Sequence, residues 1–216
     1  MSGGRRWGFG WNYPLASGFA PPRTRRVCIM RPTDQPVTLD EAVLHLRLDP
    51  TAATGPELPL ITRLIAAATT ALEEYASVAV MQQDWCMTLR HWPLYGQGLP
   101  LPLPPFAELL RIRVNQVEQP IADYYVEADD RLAANLYPVS HYWPAIATFD
   151  RDAVIIEWRA GVERPEDVSE TIKQAILMAV GTWYENRESL QQFVLTPMIE
   201  IGWKSLIDAY REPGFA

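Results

Sequence analysis

The sequence predicts an α+β fold: an α-helical core with an inserted small antiparallel β domain. Three observations predict it. Two long stretches, about 57–76 and 165–188, repeat apolar residues at three- and four-residue steps. Between them, from Val80 to Trp158, the period falls to two and prolines break the runs. The order is therefore helices, strands, helices, which places the β-rich part inside the helical part. The chain divides accordingly into a basic, aromatic-rich arm (1–29), a helical core (30–80 and 162–189), a β-rich insertion (81–161) and an apolar C-terminal tail (190–216).

Taken in order, residues 1–33 are rich in Gly, Pro, Arg and aromatics (Trp7, Phe9, Trp11, Tyr13, Phe19) and show no period. They read as a flexible leader or as an arm whose aromatics anchor on a partner. Thr38 and Glu41 form a capping box that opens a short helix, about 38–47, with Leu39, Ala42, Val43 and Leu46 on one face. Asp49-Pro50 is its expected stop. Leu60, Leu64, Ala67, Ala68, Ala71, Leu72 and Tyr75 form the stripe of the second helix, whose alanines suit close packing.

Trp85, Met87 and Leu89 then alternate with Cys86, Thr88 and Arg90, as in a half-buried strand. Pro93 to Pro105 holds five prolines and predicts a loop or an edge segment. Leu110, Ile112 and Val114 alternate with Arg111, Arg113 and Asn115. Tyr124–Val126 and Leu132–Tyr137 are weaker strands, and Ala153–Trp158 is a strong one. In the last long helix, Pro165 suits the first turn, and Asp167 and Glu170 sit at the positive end of the dipole. Val168, Ile172, Ala175, Ile176, Ala179 and Trp183 give the stripe that should pack on helix 57–76. The tail stays apolar through Phe193, Val194, Leu195, Met198, Ile199, Ile201 and Trp203, then Leu206, Ile207 and Tyr210. Such a tail packs on its own domain or inserts into a partner, and its place after a helix already complete favours the partner.

Composition bounds the function. A chain of 216 residues with 48% hydrophobic and 21% charged residues has enough apolar material for one good core or two small ones. No run of about 18 apolar residues is present to span a membrane, and the N-terminus lacks the apolar segment of a signal peptide. Two cysteines, Cys28 and Cys86, build no disulfide scaffold, and both are expected reduced in a protein made in the cytoplasm. The chain carries −7 overall, but Arg5, Arg6, Arg23, Arg25, Arg26 and Arg31 precede the first acid, Asp34, which leaves −13 for residues 34–216. An acidic body argues against tight wrapping on nucleic acid.

Signatures of catalysis and of cofactor binding are missing. The sequence has no phosphate loop, no H-E-x-x-H, no G-x-S-x-G and no dinucleotide fingerprint. His45, His91 and His141 are far apart and cluster with no cysteine, so no metal site, cofactor or catalytic residue is assigned. Glu73-Glu74 and Asp129-Asp130 read as solvated acids. Arg187 with Glu185 and Glu188 forms a surface ion pair or reaches a neighbouring subunit.

Several strings stand in a fixed order: Met30-Arg31-Pro32, Val37 to Ala42, His45-Leu46-Arg47, Leu64 to Ala68, Gln83-Asp84-Trp85, Leu101 to Pro105, Trp143-Pro144, Trp158-Arg159-Ala160-Gly161, Ile172 to Leu177 and Tyr184-Glu185-Asn186-Arg187-Glu188. Together, over about residues 30–211, they resemble the head–tail connector (adaptor) family of tailed phages, prophages and gene transfer agents. The Asp-Gly hairpin turn expected within Asn115–Tyr142 is absent, and residues 1–29 have no counterpart.

The resemblance implies a structural protein and not an enzyme. It implies a homo-oligomeric ring of twelve copies at the head–tail junction of a virion or phage-like particle, assembled in the host cytoplasm. The ring would dock on a portal protein above and a tail-completion or stopper protein below, with double-stranded DNA passing through without sequence-specific binding and no membrane involved. An acidic channel wall would let DNA slide. Tyr184, Glu185, Arg187 and Glu188 become candidates for contact between copies. Phe193, Leu195, Met198, Ile201, Trp203, Leu206, Ile207 and Tyr210 become candidates for insertion into the portal. Arg5, Arg6, Arg23, Arg25 and Arg26 mark the arm. Two other readings compete: a nucleic-acid-binding accessory protein using that arm, and a hydrolytic enzyme using a carboxylate of raised pKa.

Overall fold

The capping box does what its sequence predicts. In a computed structural model of the chain, which describes residues 25–49, 55, 57–93, 97–129, 132–147, 152–186 and 197–210, Thr38 Oγ1 accepts from the Glu41 N–H at 3.2 Å, and the Thr38 N–H donates to Glu41 Oε2 at 2.6 Å. They open α1 (Leu39–His45). The helix ends before Asp49-Pro50. Arg47 takes φ +54°, its N–H reaching Leu44 O while the Leu48 N–H reaches Val43 O. That double closure is a Schellman cap, with arginine where glycine is usual. α2 (Leu58–Ala76) follows and closes on Ser77, also at positive φ.

The last long helix is interrupted. Pro165–Asp167 forms a separate 3-10 turn, Val168 is extended and buried, and α3 runs Glu170–Glu185. The Arg164 guanidinium grips both Asp167 oxygens at 3.0 and 3.2 Å, which closes the turn on itself. Ser169 stands at the cap position, but its hydroxyl shares a 2.6 Å hydrogen bond with Tyr210 Oη. α4 (Pro197–Ile207) packs on α3. Ile61, Leu64, Ile65, Ala68 and Leu72 of α2 meet Ala175, Ile176, Ala179 and Val180 of α3 in one buried cluster, which Val37, Ala42, Val43, Trp203 and Ile207 complete. Ala68 of α2 and Ala175 and Ala179 of α3 are buried in that cluster, whereas Ala67 and Ala71 of α2's predicted stripe are only half-buried.

The remaining elements form two antiparallel sheets. β1 (Arg25–Met30), β2 (Gln83–Leu89), β8 (Val154–Ala160), β4 (Phe106–Val114) and β5 (Val117–Gln119) lie side by side in that order. β3 (Leu99–Leu101), β7 (Ala134–Pro138) and β6 (Tyr124–Glu127) form the second sheet, also in that order. Met87, Leu89, Ile112, Ile156 and Trp158 of the larger sheet share a second buried cluster with Leu99, Leu101, Tyr124 and Leu136 of the smaller one. The proline-rich stretch contributes β3, an edge strand with Pro100 opposite Asn135, as its prolines permit.

Two further expectations change. The leader does not end before the fold: Arg25–Met30 is a strand that pairs antiparallel with β2. Nor does the missing Asp-Gly turn remove a hairpin. β4 and β5 turn tightly at Asn115-Gln116, with φ +50° and +67°, the signs a type I′ turn requires. Asn115 Nδ2 donates to Ala145 O at 3.0 Å and its Oδ1 accepts from the Ala147 N–H at 3.0 Å, so the side chain also holds the segment before β8.

Candidate interaction surfaces

The larger sheet has an apolar inner face and a charged outer one, because β8 alternates Val154, Ile156 and Trp158 inward with Ile155, Glu157 and Arg159 outward. Strand register then assembles ion pairs. Arg159 Nε and Nη2 donate to the two Asp84 oxygens at 2.7 and 3.1 Å, and Glu108 lies 3.8 Å from the same guanidinium. One rung along, Glu157 stands between Arg111 and Arg113, each at 3.7 Å. Glu118 of β5 extends the row toward Arg111 at 3.9 Å. The sequence holds Asp84 and Arg159 in two quoted strings, but 75 residues apart. Only the β2–β8 register, Asp84 opposite Arg159, brings them together.

A second polar site joins helix to sheet. Glu73 Oε1, near the end of α2, accepts from the Val80 N–H at 2.8 Å and from Gln83 Nε2 at 2.9 Å. Burial pushes its pKa above the ordinary glutamate value; the two hydrogen bonds pull it down, and Glu74 pushes it up again. The sequence reading of Glu73-Glu74 as solvated acids therefore holds for Glu74, which is exposed, and fails for Glu73. Burial also raises both thiols, Cys28 and Cys86, and both are free cysteines.

The sequence-predicted contact residues separate. Tyr184 Oη donates to the Glu57 carboxylate at the start of α2, so it ties two helices of its own subunit. Glu185 is exposed at the end of α3, while Arg187 and Glu188 lie outside the described residues. Of the tail candidates, Trp203 and Ile207 are buried in the helical cluster. The Trp203 ring lies 5.2 Å from that of Tyr75, and Leu206 packs against the same cluster. Tyr210 bonds Ser169. Thus these four side chains are engaged within the subunit, and the tail from residue 200 packs on its own domain. Ile201 faces outward, 71% exposed. Phe193 and Leu195 lie outside the described residues, as does the side chain of Met198. Arg25 is exposed on β1; Arg26 is half-buried there, and its pKa is held below the ordinary arginine value by burial. Arg5, Arg6 and Arg23 lie outside the described residues.

Apolar surface is also exposed among the described residues. α2 and Trp183 line a shallow groove of about 420 Å³ with Ala66, Ala67, Thr70, Ala71 and Glu74. At the sheet ends, Val27, Ile29 and Met30 of β1 and Val117 and Ile121 at β5 are exposed. Among the described residues no group of three or more His, Cys, Asp or Glu side chains is gathered to hold a metal ion, and no helix is long and apolar enough to cross a membrane.

No family model and no curated protein matches the sequence. Solved structures do match the fold. A chain in the neck of an empty gene transfer agent (GTA) particle, computed with C6 symmetry, superposes with a TM-score of 0.73 at 22% identity, covering 87% of this chain and 95% of that one. A chain in the virion of a native GTA particle gives 0.71 at 22% identity over the same shares. One in the neck of a native GTA particle, computed with C12 symmetry, gives 0.58 at 19%, covering 76% and 93%. The fold that the sequence strings imply, helices carrying antiparallel strands, is thus the fold of chains found in GTA necks.

Proposed function

We propose that this chain is a structural subunit of the neck of a phage-like particle, a head–tail connector repeated as a ring beneath a portal. The observation that carries the reading is the superposition on GTA neck and virion chains across nearly the whole of each neighbour. Symmetry points the same way: those necks were computed with six- and twelvefold axes, and twelve copies is the ring size we propose. In a closed ring each subunit presents two different surfaces to its neighbours. Glu185, Arg187 and Glu188 are proposed on one of them, and Arg187→Glu should weaken ring assembly more than subunit folding.

The particle's DNA would pass through the ring. Residues 34–216 carry −13, and like charge keeps phosphate from adhering to the wall. The portal side is assigned to the outward face of α4 and to Phe193, Leu195 and Met198, since Trp203 and Ile207 are spent on the subunit's own core. A tail-completion or stopper protein would meet the opposite face. The test is assembly without the chain. Cells producing such particles but lacking it should release filled or emptied heads and free tails, visible by electron microscopy, and re-expression should restore joined particles. Normal tailed particles in its absence would overturn the reading.

A further inference from the structure

We infer that the larger sheet continues from one copy of the chain to the next, β1 of one subunit adding to β5 of its neighbour. This rests on the ring proposed above. A ring of more than two copies needs two different, mutually complementary surfaces on each subunit. The five-stranded sheet has two such ends, β1 and β5, neither paired on its outer side among the described residues.

Each end carries exposed apolar side chains beside its charges, where an isolated edge is usually kept covered. Val27 and Ile29 are 42% and 52% exposed, and Val117 is 62% exposed. Their flanks carry opposite signs. Arg25 and Arg31 are exposed beside the β1 end, and Arg26 is half-buried there. At the other end Glu118 is 68% exposed and Asp123 follows it on the surface. The occupant of each edge is therefore the other edge of a second copy, brought in by charge and held by main-chain pairing.

The strand count sets the geometry. With five strands in strict antiparallel succession, β1 and β5 run in the same direction. Copies related by the small turn of a many-membered ring keep their strand directions, so the joint is a parallel pair with evenly spaced, slanted bonds. β5 is short, so only about three residues of each strand engage.

Paired cysteines test this in the full chain. In a Cys86→Ser background, the native Cys28 is combined with Val117→Cys or Gln119→Cys, all on the sheet's inner face by the strand register; with Cys28→Ser added, Val27→Cys is combined with Glu118→Cys on the outer face, three pairs in all. Disulfides need Cα atoms about 4.4–6.8 Å apart, so only true neighbours join. Under mild oxidation at least one pair should give a non-reducing ladder of multimers that collapses with reductant, while each single-cysteine variant stays at monomer size. Native mass spectrometry of the unoxidised parent runs alongside. A ring without any ladder overturns the edge pairing while the ring stands, and would leave the edges to another occupant such as residues 1–24. Dimers from Val27→Cys alone mean β1 meets β1 about a twofold axis, which also overturns it. A parent that stays monomeric at high concentration overturns it too. The particle-assembly experiment fails or succeeds independently of all three.

Discussion

Glu73 is a carboxylate placed where water is scarce, and its effect on stability follows from that. Burial raises its folded pKa above the ordinary value of 4.5. Between the unfolded and folded values the native state holds more protons than the unfolded one, so stability falls as pH rises through that window. Above it the folded chain carries a buried charge in full. Glu73→Gln keeps an oxygen for the Val80 N–H without that charge. Thermal unfolding from pH 4 to 8 should show the variant gaining on the parent as pH rises; a constant difference would refute the assignment. Asp84 is a buried carboxylate with a charged partner. It is 7% exposed and holds Arg159 by two hydrogen bonds. Asp84→Ala leaves the guanidinium half-buried with only the more distant Glu108, and should cost about 1–3 kcal/mol by urea denaturation.

Elements show which parts of the fold the sequence discloses and which it hides. The alternation of β2, β4 and β8 is a local signal, and the structure follows it; of the predicted helix stripes Leu64, Ala68, Leu72, Ala175, Ile176 and Ala179 are buried, while Ala67, Ala71 and Trp183 line the open groove. What escaped depends on partners distant in sequence. β1 has a half-polar composition, Arg-Arg-Val-Cys-Ile-Met, and becomes a strand only because β2 lies beside it. α4 looked like an unattached tail, because nothing in its own residues says that α3 and Tyr75 supply the place for Trp203. Trp203→Ala should therefore destabilise the subunit by about 3–5 kcal/mol. Ile201→Asp, on the outward face, should leave the melting temperature nearly unchanged while weakening capture by immobilised portal. If Ile201→Asp unfolds the chain instead, the division of α4 into two faces is wrong. The β4–β5 turn escaped for a chemical reason: Gln116 occupies a left-handed position that favours glycine. Gln116→Gly should relieve about 1 kcal/mol of strain and raise the melting temperature, provided Asn115 is kept.

At the scale of the molecule, two buried clusters, one helical and one between sheets, are joined through a narrow seam. The chain crosses it at residues 77–82 and again at 160–162. The Val162 N–H donates to Val80 O at 3.2 Å and the Gln82 N–H to Val162 O at 2.9 Å, while Gly161 and Ala79 donate to Pro105 O and Pro104 O. Glu73 reaches over the same seam to Val80 and Gln83. Gly161 is the tightest point. It takes φ +95°, and a Cβ built on it would stand 2.2 Å from Met81 O, a backbone atom that cannot swing aside. The string Trp158-Arg159-Ala160-Gly161 thus ends in glycine because the two crossings lie too close for any side chain. Gly161→Ala must push the crossings apart, at a cost of about 3 kcal/mol or more from the clash and the backbone strain together. Its effect should reach beyond overall stability, since these backbone bonds and Glu73 join the two clusters. In urea, helix content and the fluorescence of the sheet-cluster tryptophans should lose signal together in the parent and separately in the variant. Coincident curves with an unchanged midpoint in Gly161→Ala would show that the seam does not couple them.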